Sequence, residues 1–388
     1  MTTFPTRLVL EGVPRIHFYD GGARCPEDII LPSVMRALME YFNEETLGCR
    51  VCRGIQPACR VPCSYAFFVG VTGAASFLSW KKGWEGDNVA LFYMSADPAA
   101  PSRRAFEAAG YTYEVVEKRT GSERELFCQR LFESLQKGYP VCADGVIGPP
   151  ETCLITGYDE GGEVLIGWNF FQQFPEFNAG VTFEPPGYFR KRNWFEDTHD
   201  FLILTGKRQP PPLKEIYRSA LEWMLTVART PVVRPEPDAP EWYQQRANGL
   251  AAYDAWADQL LQDDDFPDGE TAILQQRHQV HDNVVGTVAE ARWYGSQFLT
   301  GMTIGGDDIV HRNALEDLYH AAALYAGDHA LMWDLWALAG GNGSPEGWKL
   351  FADPAVRRQM IPIIQKARDN DARAADHLER VLARWPGD

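Results

Sequence analysis

The spacing of apolar and polar positions changes once along the chain, near residue 208. Before that point the apolar runs are short and bounded by turn residues; beyond it they recur at helical spacing over long stretches. After Pro32, the positions Val34, Ala37, Leu38 and Tyr41 recur at i, i+3, i+4 and i+7, which predicts an amphipathic helix with Ser33 at its start. The stretch SYAFFVGVTGAASFLSW is apolar and glycine-containing and fits neither period. From Asn88 the pattern alternates. NVALFYMS predicts a buried strand, PSRRAFEAAG a short helix stopped by Gly110, and YTYEVVEK a second strand. Ser122 and Glu125 have capping-box spacing and open a helix that runs to Gly138. Three strands follow, YPVCADG, TCLITGYD and EVLIGWNF, the last two joined through the hairpin signal Glu160-Gly161-Gly162. DFLILTG closes this part near Gly206.

GKRQPPPL then reads as a linker, because consecutive prolines cannot donate to a strand ladder and hold the chain extended. Beyond it, helices are predicted over 213–229, 240–262, 270–299, 307–340 and 353–384. Leu315, Leu318, Ala322, Tyr325, Leu331, Leu335 and Leu338 form the buried stripe of the fourth. The expectation is an α+β domain over 1–208 followed by an all-α domain over 213–388.

The chain has 388 residues, enough for two cores. With 45% apolar and 23% charged residues it has a globular balance. A formal net charge of -16 argues against a general nucleic-acid binder, which needs cations to displace counterions from phosphates, and equally against anionic lipid. The N-terminal residues lack a signal-peptide pattern, and no apolar run approaches the roughly 20 residues that cross a bilayer. The expectation is a cytoplasmic protein with reduced thiols. Nothing in the sequence excludes a homo-oligomer.

Four of the eight cysteines, Cys49, Cys52, Cys59 and Cys63, fall within fifteen positions. Four thiolates at tetrahedral reach suit a structural zinc ion, although the spacer of six between Cys52 and Cys59 is shorter than usual; reduced loop thiols are the alternative. His278, His281 and Asp282 lie within one helical turn, and Glu316 and His320 at i, i+4. Both fit a polar helix face better than a metal site. Trp293, Tyr294, Trp333 and Trp336 read as helix packing. The Gly70–Ser76 loop lacks the lysine of a phosphate loop.

One segment carries a resemblance. GYPVCADGVIGPPETCLITGYDEGGEVLIGWNFF resembles the double-glycine-peptidase-like branch of the papain-like superfamily. PSVMRALMEYF followed by FVGVTGAASFLSW resembles the N-terminal region of the butirosin-biosynthesis acyltransferase-like proteins of the same superfamily. The resemblance covers roughly residues 10–205. It implies a papain-like N-terminal domain whose nucleophile begins a buried helix, where the helix dipole stabilises a thiolate, with an imidazole base and a polar orienter on two adjacent strands.

Carried over by position, the family cysteine falls on Ser33, the family histidine on or near Glu151, and the orienter on Asn169. A serine with a carboxylate and no imidazole lacks an efficient base at neutral pH unless the Glu151 pKa is strongly raised. Cys25, before Pro26-Glu27-Asp28, is the alternative nucleophile under a register shift; a loop cysteine without a role is the plain reading. Two functions follow as expectations. One is a non-peptidase papain-like protein binding a small molecule in the cleft between its domains; the other is an acyl- or amide-transferring enzyme acting on a small amine or acyl-thioester.

Overall fold

The computed structural model describes residues 4–16, 27–44, 63–119, 121, 123–236, 243–304, 310 and 312–385. In chain order its first elements are β1 (Leu8–Val9), α1 (Ile30–Tyr41), α2 (Cys63–Thr72), β2 (Ser79–Trp80), α3 (Ala100–Ala109), β3 (Tyr111–Glu117) and α4 (Arg124–Gln136). Then come β4 (Val141–Asp144), β5 (Thr152–Asp159), β6 (Val164–Trp168), β7 (Val181–Glu184), β8 (Tyr188–Arg192), α5 (Trp194–Asp197) and β9 (Asp200–Lys207). The remainder is helical apart from two short strands: α6 (Leu213–Arg229), β10 (Val232–Val233), β11 (Arg246–Asn248), α7 (Leu250–Leu260), α8 (Thr271–Ile304), α9 (Arg312–Leu338), α10 (Pro345–Ala352) and α11 (Pro354–Ala383). The chain is mixed α+β, with an antiparallel sheet and a helical C-terminal region.

Two compact units divide it. The first takes the described residues up to Tyr65 and those from Ala105 to Pro211; the second takes Ala66–Arg104 and everything from Pro212 on. The break near residue 211 lies where the triple proline predicts a linker. Residues 66–104, expected in the first domain, belong instead to the helical unit. The cause is aromatic: Trp80 stacks on Trp256 at 6.0 Å, and Trp84 meets Phe266 and Phe351 edge-on, so these side chains are buried only among the C-terminal helices. NVALFYMS is likewise not a strand. Leu91–Tyr93 form a 3-10 turn, with Tyr93 and Met94 packed beside Val227, Val233 and Tyr243. Two short strands near the C-terminal half went unpredicted. β10 and β11 pair with β2 in a small antiparallel sheet inside the second unit.

In the first unit the strands follow the order β3-β9-β4-β5-β6-β8-β7, with β1 alongside β5. The register between β3 and β9 shifts at Thr112/Tyr113, and β3 is the outermost strand among the described residues. Side chains alternate across the sheet. On one face Phe127, Leu131 and Leu135 of α4 bury Val141, Ala143, Ile155 and Phe201. The opposite face therefore carries Cys142 and Asp144, with Leu202, Asp200 and Thr152 as their cross-strand partners.

α1 lies against β5. Its direction follows from three contacts. Just past its C-terminus, Phe42 packs on Tyr111 and Tyr139 at 5.3 and 5.7 Å, where β3 and β4 begin. Lys207, at the end of β9, pairs there with Glu44. Midway along α1, Arg36 donates to the carbonyl of Arg15 at 2.7 Å, and the carbonyl of nearby Val13 accepts from Trp168 at the end of β6. The first turn of α1 therefore lies at the other end of the sheet, where β4 and β6 end and β5 and β9 begin.

In the second unit α8, α9 and α11 pack along their lengths with α7. At the centre of these helices Arg292 is fully buried and bonds Asp371 through both Nε (3.0 Å) and Nη2 (2.6 Å). Tyr253 donates to the same carboxylate at 2.9 Å, and Arg292 also donates to the carbonyl of Ala75 at 2.8 Å. Asp328, buried beside Asp371, accepts from Asn370 at 2.8 Å. Burial, reinforced by the charge of Asp371, holds the Asp328 carboxyl well above the usual range, so it keeps its proton at neutral pH. Among the described residues no helix is long and apolar enough to cross a membrane.

Candidate functional site

α1 begins at Ile30, three residues before the predicted start, so Ser33 stands inside its first turn and its N–H bonds back to the carbonyl of Ile29 at 3.3 Å. The hydroxyl donates to Glu27 Oε2 at 2.6 Å. Arg36, one turn on, binds the same carboxylate at 2.8 Å through Nε and reaches Glu40 at 3.0 Å. Ser33, Glu27 and Arg36 are all buried. Burial pushes the Glu27 carboxyl up, opposed by the Arg36 charge and the Ser33 bond. Ser33 is thus a member of a buried ion-pair cluster. Ser33→Ala takes a donor from a buried carboxylate and is expected to lower unfolding free energy by about 1–3 kcal/mol in a denaturant titration; an unchanged midpoint would remove that role.

Asn169 follows β6 and is buried, with both ends of its amide engaged locally. Nδ2 donates to Cys153 Sγ at 3.0 Å, and Oδ1 accepts from the Phe171 N–H at 2.7 Å. Its role is to fasten the chain as it leaves the sheet. Burial pushes the Cys153 thiol up to about 12, which leaves it un-ionised and unreactive at neutral pH.

Glu151, just before β5, is half-buried, and its carbonyl accepts from Gly145 at 3.3 Å. Burial pushes its carboxyl up to about 7, with the charge of Asp144 adding to the shift. Sequence reasoning found this residue and named a raised pKa as the condition for it to act as a base.

Sequence reasoning missed the group beside it. Asp144 ends β4 directly opposite Asp200 on β9 and Thr152 on β5, so three polar side chains meet in one row across three strands. Burial raises both carboxyls of the Asp144–Asp200 pair; at Asp200 the charge of Asp144 adds to the rise, while at Asp144 the hydrogen bonds with Thr152 and Asp200 oppose it. His199, next to Asp200, donates its backbone N–H to the Asp144 carbonyl at 2.9 Å. Its ring lies against Gly145, where a Cβ would come within 2.3 Å of the imidazole, and the left-handed φ of +84° at that position also calls for glycine. His199 and Gly145 line an open cavity of about 450 Å³ together with Ile147, Glu176, Lys191 and Glu196. No local motif marks the carboxyl pair, because its members are brought opposite each other only by the pairing of β4 with β9.

Cys25, Cys49, Cys52 and Cys59 lie outside the described residues, and Cys63 opens α2 with its side chain also outside them. Among the described residues no group of three or more His, Cys, Asp or Glu side chains is placed to hold a metal ion. In the second unit His278 and His281 point into the core of α8 and its neighbours, not onto a polar face: both are buried, and His278 Nε2 lies 3.1 Å from the carbonyl of Ala339. Glu316 and His320 form the expected surface pair, 3.6 Å apart. Neither a protein-family model nor a curated protein matches the chain.

Proposed function

We propose that the first unit is a papain-like domain whose nucleophile position has become structural, and that it binds a small amine-bearing molecule at the carboxyl row. One observation carries the reading: Asp144, Asp200 and Glu151 gather at the end of the sheet where α1 begins, while the Ser33 hydroxyl is engaged by a buried carboxylate. An ammonium group supplies the positive charge and the N–H donors that such carboxyls lack. Because Glu151 ionises near pH 7, an ammonium ligand draws off its proton, and affinity rises as pH rises through that value.

Calorimetric titration with methylamine and a linear diamine tests this. Saturable binding that strengthens from pH 6 to pH 8 is expected, weakened about tenfold in Asp200→Asn, or about 1.4 kcal/mol. Heats that do not saturate, or an affinity the same in Asp144→Asn, Asp200→Asn and the native chain, would overturn it.

A second reading, transfer of an acyl or amide group to a small amine, is favoured by the same Glu151 value, which suits a general base. Consumption of an acyl-thioester that stops in Glu151→Gln would decide for transfer over binding.

A further inference from the structure

We propose that the groove between α9 and α11 around Gly327, within the helical unit, binds a small oxyanion: a phosphate or carboxylate group. The groove encloses about 250 Å³. At about 30 Å³ of liquid per water this is room for roughly eight waters, enough for a phosphate and a short organic tail.

Its polar lining is donor-rich. His320 from α9 and His377 from α11 stack at 5.0 Å, and Arg373 and Asn370 complete the α11 side. Arg373 is exposed, and among the described residues it has no hydrogen bond or ion pair. The carboxylates that follow it on α11 are engaged elsewhere, since Asp376 and Glu379 both hold Arg229 at 2.9 Å.

Next to His377 the balance of charge is also positive. Asp317 contacts His377 Nδ1 at 2.7 Å, Arg380 at 2.9 Å and Arg384 at 2.6 Å, so one carboxylate faces two guanidinium groups and an imidazole. The exposed Glu316, 3.6 Å from His320, offsets this from the α9 side.

The floor is Asn370, whose amide leans on Asp328. That carboxyl keeps its proton, and the charge of Asp371 beside it is held by Arg292 at 2.6 Å. Gly327 keeps the space open: a Cβ there would point at Asn370 Nδ2 from 3.9 Å, in ordinary contact, so a larger side chain would fill the groove without a backbone clash. A guanidinium fork with imidazole donors matches the geometry of an oxyanion. With a net charge of -16 the chain as a whole repels anions, which makes saturable anion binding a discriminating result.

The test is calorimetry on the full chain at mildly acidic pH, with inorganic phosphate and succinate in separate arms. We expect one-site saturation on the order of mM, stronger for whichever group fits, and a loss of at least about fivefold in both Arg373→Gln and Gly327→Leu. Circular dichroism melting confirms that each variant is folded. No saturation by either anion up to about 50 mM, or an affinity within about twofold of the native chain in both folded variants, would overturn the proposal.

Discussion

Replacing Arg292 by leucine is expected to lower the unfolding free energy by about 3–5 kcal/mol, because it strands the Asp371 carboxylate in the helical core. Arg292 is fully buried and supplies two of the donors on that carboxylate; without it no positive charge faces Asp371, and the neutral Tyr253 and Asp328 hydroxyls are left to hold it. Two backbone carbonyls, of Ala75 and Phe77, lose a donor in the same step. Neutralising Asp371 as well, in the double variant Arg292→Leu, Asp371→Leu, is expected to restore part of the loss, since a buried apolar pair avoids the desolvation that an unpaired charge suffers. Chemical denaturation of native, single and double variants reads this directly. A single-variant loss under about 1 kcal/mol would mean that the cluster does not hold an ionised pair.

A comparable effect is expected from His281, through pH. The ring is fully buried between Trp256 and Phe351, and its polar surroundings are sparse: the Leu335 backbone is the polar group that favours its charged form. Burial drives its pKa down from 6.5 to about 3; His278 adds to the shift, and the backbone at Leu335 opposes it. The unfolded chain therefore takes up the proton first as pH falls. The stability of the neutral form is fully present above pH 6.5 and drains away between there and about pH 3. One such group removes about 2 kcal/mol by pH 5. His281→Leu is expected to abolish that slope and, by removing a buried polar ring from an apolar core, to stabilise the protein at neutral pH as well. Urea midpoints at pH 7.5 and pH 5 provide the measurement, and parallel behaviour of the two chains would show that His281 is not the acid-sensitive group.

The elements that local pattern foretold are those with a local cause. The stripe Val34, Ala37, Leu38 and Tyr41 became α1, and TCLITGYD and EVLIGWNF became β5 and β6 with the predicted turn between them. β7 and β8 went unread because Phe183 and much of their surface remain exposed and a Pro185-Pro186-Gly187 turn joins them, so no alternation marks them as strands. The apolar run at Leu91–Tyr93 is ambiguous by nature: a short buried segment looks the same whether extended or coiled.

The candidate site divides along the same line. Glu151 stood next to a strand and was found. Asp144 and Asp200 are 56 positions apart and meet only through strand pairing, and the tie of Ser33 to Glu27 and Arg36 needed the chain before α1 folded back on it. A carboxylate and a guanidinium at Glu27 and Arg36, flanking a serine in an otherwise apolar helix start, were the one signal available in advance.

The outermost strand of the large sheet has a bearing on how the molecule behaves in a crowd. A bare β-edge invites the same edge of another copy, the first step toward fibrils. Here the register slip at Thr112/Tyr113 twists the rim, while Glu114, held by Arg130, and Glu117, held by Arg119, line it with carboxylates around the exposed Val115. Two copies that approach rim to rim must first strip water from these ion pairs and then match a bent ladder, so the hydrogen-bonding capacity left open there favours water over a neighbour.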